Sequence, residues 1–242
     1  MFGKIKWLTL IMLVFLFAAC ELENGETNGE KKTHTESFTS SRSYEFNIGY
    51  PTTVEIYAGG AGGGGAGGYW VEGGLFLNDY YNCGGAGGGG AVEHHKFDIN
   101  KATNFTVTIG AGGEQGYGRK RTYWERTNNT GWLINEEGSD GGSTFVNWEG
   151  GSLSAQGGKG GGTVNGGAGG TSSTNGTNGA SGNNGIKDSR TQTVGPSTGG
   201  SGGFNNIRAG KGGNGGGTIN KNPQAGERGE NGQVTIVFTW YE

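Results

Sequence analysis

The stretch GGAGGGGAGG at residues 59–68 decides how this chain folds. A close relative of it, GGAGGGG, follows at 84–90. Glycine supplies 58 of the 242 residues, and further runs of it lie at 110–113, 157–170, 199–203 and 210–217. Between these runs glycine recurs at a spacing of three: Gly176, Gly179, Gly182 and Gly185, then Gly226, Gly229 and Gly232. The same period runs inside the dense tracts, through Gly59, Gly62, Gly65 and Gly68 and through Gly84, Gly87 and Gly90. A backbone with three residues per turn is polyproline II, rising ~3.1 Å per residue with no internal hydrogen bonds. Every third residue then returns to one side of the rod, and a rod pressed against another there tolerates only glycine. The unpaired amides and carbonyls must bond to neighbouring rods. The period therefore predicts short glycine rods packed side by side, with larger residues such as Thr177, Asn178, Ala180 and Ser181 facing outward.

The same composition has other readings. A flexible Gly/Ser linker is one, since ordering glycine has a high entropic cost. The aromatic and strand-like segments between the tracts argue against it. Collagen is excluded by short, interrupted tracts and three prolines. A phosphate-cradling loop is excluded because neither Lys159 nor Lys211 is followed by Ser or Thr.

Outside the tracts the chain alternates with a period of two. Tyr44, Phe46 and Ile48 share one face, and Val54, Ile56 and Ala58 another, with Pro51 between them. This reads as a hairpin-like pair of strands. Residues 91–99 form a further strand in which His94 and His95 point to opposite faces. Phe105, Val107 and Ile109 form another; 143–147 and 153–155 are shorter candidates; Val234, Ile236, Phe238 and Trp240 close the chain. No stretch after residue 42 has a helical period.

This order of motifs resembles a known family. The phrases are FTVTIGAGG at 105–113, GGSTF at 141–145 and GQVTIVF at 232–238, set among glycine blocks. They are similar to the glycine-rich domain of bacterial and tailed-phage surface proteins. That domain is itself similar to the extracellular glycine-rich domain of anaplastic lymphoma kinase-type receptors. The resemblance spans roughly 43–240. It implies an all-β fold, an antiparallel β-sandwich fused to a bundle of polyglycine II helices, with little or no α-helix after the signal peptide. In phage adhesins of this kind, loops at the end of the bundle recognise the host surface. The resemblance brings no catalytic residue.

Two segments break the glycine pattern. Residues 69–83 hold Tyr69, Trp70, Phe76, Tyr80 and Tyr81; residues 117–137 hold Arg119, Lys120, Arg121, Tyr123, Trp124, Arg126 and Trp132. Aromatic faces with polar edges suit recognition of a glycan or protein. In 69–83 the rings can equally cover rod ends. In 117–137 the charges would be costly to bury, which favours binding. Tyr69, Trp70, Phe76, Tyr80, Tyr81, Arg119, Arg121, Tyr123, Trp124 and Trp132 are therefore the candidate ligand contacts.

The N-terminus carries Lys4 and Lys6, an apolar run at 7–19, and small residues before Cys20. A basic start, a short apolar core and a small-residue cleavage site make an export signal. Phe17-Ala18-Ala19-Cys20 resembles the lipobox of bacterial lipoproteins, with Phe17 where Leu is usual. The resemblance implies a signal at 1–19, lipidation of Cys20 and anchorage to the cell envelope, at the outer membrane or cell surface. The polar residues that follow Cys20, as far as residue 42, read as a disordered tether to a domain at 43–242. Acyl chains anchor through ~0.8 kcal/mol per buried CH₂.

The net charge is −3. It falls to −5 once Lys4 and Lys6 leave with the signal, which argues against nucleic acid as a partner. Cys83 is the only other thiol, so no disulfide closes within the domain. The string GGSGG at 199–203 has no helix to make a nucleophile elbow. No metal, cofactor or catalytic group is implied. The expected function is non-enzymatic binding or adhesion by a lipid-anchored surface protein. The alternatives are a structural or self-assembling envelope protein and, by analogy with other polyglycine II proteins, an ice-binding face. Composition and spacing do not fix the oligomeric state.

Overall fold

The computed structural model describes residues 29–49, 52–75, 78–122, 136–173, 175–187 and 189–242. These residues are all-β and contain no helix. In chain order the strands begin with β1 (Lys31–Phe38), β2 (Ser43–Ile48), β3 (Thr52–Gly59), β4 (Tyr69–Glu72), β5 (Tyr80–Asn82), β6 (Val92–Ile99) and β7 (Thr103–Thr108). Then follow β8 (Arg119–Thr122), β9 (Thr144–Trp148), β10 (Gly151–Ala155), β11 (Thr193–Val194), β12 (Gly203–Phe204) and β13 (Ile207–Arg208). The last are β14 (Thr218–Ile219), β15 (Asn222–Pro223) and β16 (Gln233–Tyr241).

Two antiparallel four-stranded sheets share one core. Their orders are β1-β16-β3-β6 and β10-β9-β7-β2. Alternation turns Val54, Ile56, Val234, Ile236 and Phe238 of the first sheet inward, toward Phe105, Val107 and Val146 of the second. Rings join the two sheets: Phe97 stacks on Trp148 at 4.7 Å, and Phe38 on Phe46 at 5.6 Å. Burying each such side chain stabilises by roughly 1.5–3 kcal/mol.

Two features differ from the sequence reading. The expected hairpin of 43–48 and 54–58 does not form. β2 pairs with β7, whereas β3 pairs with β16 and β6. Both strands turn an apolar face to the shared core, so they meet across it rather than edge to edge. Part of the polar stretch assigned to the tether, Lys31–Phe38, also belongs to a sheet. β1 pairs with β16 along its whole length, Lys31 opposite Tyr241 and Phe38 opposite Val234. Its apolar contribution is small but sufficient: His34 stacks on Phe238 at 6.0 Å and Phe38 packs on Tyr44 at 4.7 Å. Lys31, Lys32 and Glu36 sit on an edge strand, where charge deters further pairing.

β3 leads directly into the glycine segment 60–68, whose amides point three ways in turn. Gly60, Gly63 and Ala66 donate to Ala91, Gly88 and Gly85; Ala61, Gly64 and Gly67 donate to Gly142, Ser139 and Glu136. Gly62, Gly65 and Gly68 donate to Glu230, Glu227 and Gln224. The carbonyls alternate likewise. Gly60, Gly63 and Ala66 accept from Gly210, Gly213 and Gly216; Ala61 and Gly64 accept from Gly158 and Gly161. Gly62, Gly65 and Gly68 accept from Gly113, Gly116 and Arg119. Segment 60–68 thus has a bonded neighbour on every side. Segment 84–91 repeats the arrangement. Its amides donate in turn to 210–216, to 156–162 and to 180–183, while Gly167, Gly170 and Gly200 donate to its carbonyls.

At the glycines of these segments no side chain fits, although Ala61, Ala66, Ala86 and Ala91 each keep a buried methyl. A Cβ on Gly64 would lie 1.9 Å from the Glu114 carbonyl oxygen, and one on Gly87 2.1 Å from that of Gly63. Segments at the margin have free sides, and there larger residues return, as with Lys159, Lys211 and Asn214. Side chains on this margin also close outward amides: Asn178 Oδ1 accepts from Ser172, Asn184 Oδ1 from Gly166, and Asn214 Oδ1 from Gly199.

Candidate binding surface at the far end of the glycine segments

Gly59 ends a sheet strand and Gly68 precedes β4, so β4 lies a full glycine segment away from the sheets. At this far end β4 pairs antiparallel with β5 and parallel with β8. Beside them β14 pairs with β11 and β15. The Thr218 hydroxyl ties the two groups together, lying 2.8 Å from the Asn82 carbonyl and 3.3 Å from that of Tyr69.

The strands divide the candidate aromatics between them. Tyr69 is 4% and Tyr81 3% exposed, so both are packed, Tyr81 in a small cluster with Cys83 and Val194. Trp70 is half-buried against that cluster and stacks near-parallel to Tyr81 at 6.5 Å. Tyr80 is half-buried. Phe76, Tyr123, Trp124 and Trp132 lie outside the described residues, as does the lipidation candidate Cys20. Of Arg121, the strand position is described: it is opposite Val71. Arg119 pairs with Glu136 at 3.2 Å, and that carboxylate is 5% exposed.

Two lysines join the site that the aromatic pattern did not indicate. Lys120 Nζ lies 4.4 Å from the Trp70 ring centroid and 2.7 Å from Glu72. Lys221 Nζ lies 5.3 Å from the same ring and 3.0 Å from Asp79. Lys221 is the second turn residue of the β14–β15 hairpin, where Asn220 and Lys221 have φ of 46° and 65°. Both positive values are what a two-residue hairpin turn demands. The Asn220-Lys221 pair was the available signal in the sequence. Cations over an indole face gain roughly 0.5–2 kcal/mol. The Trp70 Nε1 hydrogen is buried with no acceptor among the described residues.

Asp79 anchors this corner. The Gly73 amide donates to Oδ1 at 2.9 Å, and the Tyr81 hydroxyl to Oδ2 at 3.2 Å. The Gly73 amide and the Lys221 ammonium hold its carboxyl below the ordinary value. Burial and the Asp79 charge push the Tyr81 phenol up, so it stays a neutral donor.

Exposed apolar side chains occur here, as they do on the sheets at Phe145 and Tyr241. Leu75 is 95% and Tyr117 62% exposed, and Ile186 and Ile219 are about half exposed. All four lie on segments of the far end: the Ile186 carbonyl accepts from Cys83, and Ile219 pairs with Asn222.

The two histidines of β6 stand apart from this end, whereas Cys83 lies within it, beneath Trp70. His94 Nε2 lies 2.8 Å from Glu55 on the outer face of its sheet, whereas His95 stacks on Trp148 at the core side, 5.5 Å away. Cys83 is buried and its thiol donates to the Gly84 carbonyl. Among the described residues no three His, Cys, Asp or Glu side chains come together to hold a metal. Grooves of about 410 and 600 Å³ lie along the flank, lined by residues such as Arg228 and Asn231, and Ser201 and Lys211. Comparison with known family models and with curated proteins finds no match.

Proposed function

We propose that this is a lipid-anchored surface protein of a bacterial envelope that binds a glycan or protein at the far end of its glycine segments. The observation that carries the reading is the polarity of the chain. Glu30 and Glu242 meet at the outer end of the sheets, with the Glu242 amide on the Glu30 carbonyl at 3.2 Å. Trp70, Lys120 and Lys221 stand at the opposite end. A chain lipidated at Cys20 would enter at the first end and present the second outward.

The sheets act as a β-sandwich and the glycine segments as a polyglycine II bundle. The shared core supports the first. The period of three in amide direction supports the second, because three residues per turn is the polyproline II repeat. Residues 60–68 alone would then span ~28 Å at that rise. A scaffold bonded on all sides holds its end loops with little entropy left to lose on binding. Trp70 with its two lysines, and the aromatic residues Trp124 and Trp132, are the side chains to contact the ligand. The glycine-rich family resemblance supports the same reading.

Cells displaying the whole chain, tested on glycan arrays and host surfaces, check this. Trp70→Ala and Lys221→Ala are expected to weaken binding at least tenfold while thermal melting changes little. Unchanged binding in both variants and in Trp124→Ala/Trp132→Ala would sink it. Loss of labelled palmitate in Cys20→Ser tests the anchor separately. The structural alternative draws on one observation: residues 160–186 contain no charged residue, a flank suited to lateral packing of copies. Self-association of the purified chain without any surface binding would favour it.

A further inference from the structure

Placing glycine at every third position puts asparagine directly before glycine again and again. Asn165, Asn175, Asn178, Asn184, Asn214 and Asn231 each precede a glycine among the described residues. Asn-Gly is the pair most prone to spontaneous succinimide formation, because glycine leaves the attacking amide unhindered. The glycine nitrogen forms a bond to the asparagine Cγ, the Cγ–NH₂ bond breaks, and ammonia departs. Water then opens the ring to aspartate or isoaspartate. The reaction needs a glycine amide free to lose its proton and an asparagine carboxamide free to turn onto it.

The lateral bonding removes both freedoms almost everywhere. The Gly179 amide donates to Gly170, Gly185 to Val164, Gly215 to Ser197 and Gly232 to Gly110. The preceding side chains are engaged too: Asn178 accepts from Ser172, Asn184 from Gly166, Asn214 from Gly199 and Asn231 from Gly112. For Asn165 the following amide is the one held by Asn184 at 2.8 Å. Asn175 differs. It is exposed, and neither its side chain nor the Gly176 amide is bonded to another described residue.

We propose that Asn175–Gly176 is a built-in deamidation site, the one Asn-Gly pair of the described array left open to the reaction. Its product matters to the fold. Isoaspartate inserts an extra methylene into the main chain immediately before Gly176. The glycines that follow are held in register, a Cβ on Gly176 lying 1.7 Å from the Val92 carbonyl and one on Gly179 2.1 Å from that of Gly89. The new carboxylate also arises two residues from Ser173, whose amide donates to the buried Glu93. It puts a charge on the segment 160–186, which carries no charged residue of its own. Modification therefore loosens segment 176–185 from the array.

The test is peptide mapping of the purified full chain after incubation at 37 °C and mildly alkaline pH. Electron-transfer fragmentation distinguishes aspartate from isoaspartate at each position. In the folded chain Asn175 is expected to convert at least tenfold faster than Asn165, Asn178, Asn184, Asn214 and Asn231. In guanidinium all six are expected to convert at similar rates. Conversion of Asn178 or Asn184 as fast as Asn175 in the folded chain would overturn the proposal. So would an intact Asn175 where the denatured chain reacts. Asn175→Ser removes the reaction and should preserve amide-exchange protection at 177–185 in aged protein; equal loss of protection with and without it refutes the structural consequence.

Discussion

The sheets and the glycine array are both buried, but by opposite means. In the sheets Ile56, Ile236 and Phe105 are wholly or almost wholly withdrawn from water and pack on one another. In the array the withdrawn residues are glycines and a few alanines such as Ala61 and Ala86, and backbone amides bonded at about 2.9 Å supply the cohesion. Apolar burial is worth roughly 25 cal/mol per Å², and a backbone hydrogen bond about 1 kcal/mol net. Ordering glycine loses more conformational freedom than ordering any other residue. The array holds because each segment is bonded to several others at once. The two regions should therefore fail in opposite ways. A sheet core is hurt by removing atoms, and the array by adding one.

The largest effect is expected from Gly87→Ala. Its methyl would meet the Gly63 carbonyl oxygen at 2.1 Å. Backbone at this point is bonded to Gly213 and Gly200 and cannot retreat. Loss of roughly 4 kcal/mol or more is expected, seen as failure to fold or a collapsed melting temperature. Gly195→Ala is the control, since nothing lies within 4 Å of its Cβ position. Equal behaviour of the two variants would show that glycine serves the array by composition rather than by contact. Phe105→Ala is the matching experiment in the sheets. The ring stacks on Phe46 at 5.4 Å and lies in the shared core. A loss of about 3–5 kcal/mol is expected in urea unfolding. If Phe105→Ala destabilises more than Gly87→Ala, the array is the softer region and the comparison reverses.

Much of this was legible in the chain. The alternation of Val234, Ile236 and Phe238 located β16, and that of Phe105 and Val107 located β7. The glycine period located the array segments. Their arrangement was also written there, though less plainly. In 59–68 and 84–91 every residue is Gly or Ala, because neighbours close every side. In 176–185 only each third residue is Gly, because most sides face water. The number of glycines per triplet thus counts the packed sides. Other features depend on partners far along the chain. β1 looked like a tether because its own residues are polar; the bonding edge of β16 recruits it. Strands β2 and β3 looked like a hairpin because adjacency in sequence says nothing about which sheet offers the better-matched edge. Lys120 and Lys221 meet over Trp70 only once β8 and the β14–β15 turn are in place. The spacing of aromatics could not foretell that Tyr81 would turn inward while Trp70 stayed half-exposed.

The margin of the array differs from both interiors, and there the smallest effect is expected. Asp140 bonds to Lys159 Nζ at 2.7 Å and to the Gly160 amide at 2.9 Å. Burial raises its carboxyl, but Lys159 and the Gly160 amide outweigh this and hold it below the ordinary value. A carboxyl lowered on folding contributes stability above its unfolded value of about 3.9. That contribution is lost as pH falls through the lowered folded value. Both partners are largely exposed, so solvent and salt screen the pair. Asp140→Ala should therefore cost a little stability at neutral pH, less in high salt, with the difference from the unaltered chain closing in strong acid. Urea unfolding at pH 7 and near pH 2 measures the gap. A gap that persists in acid would assign the contribution of Asp140 to shielding the Gly160 amide, a role that charge does not supply. The margin would then be held, like the interior, by satisfied backbone groups.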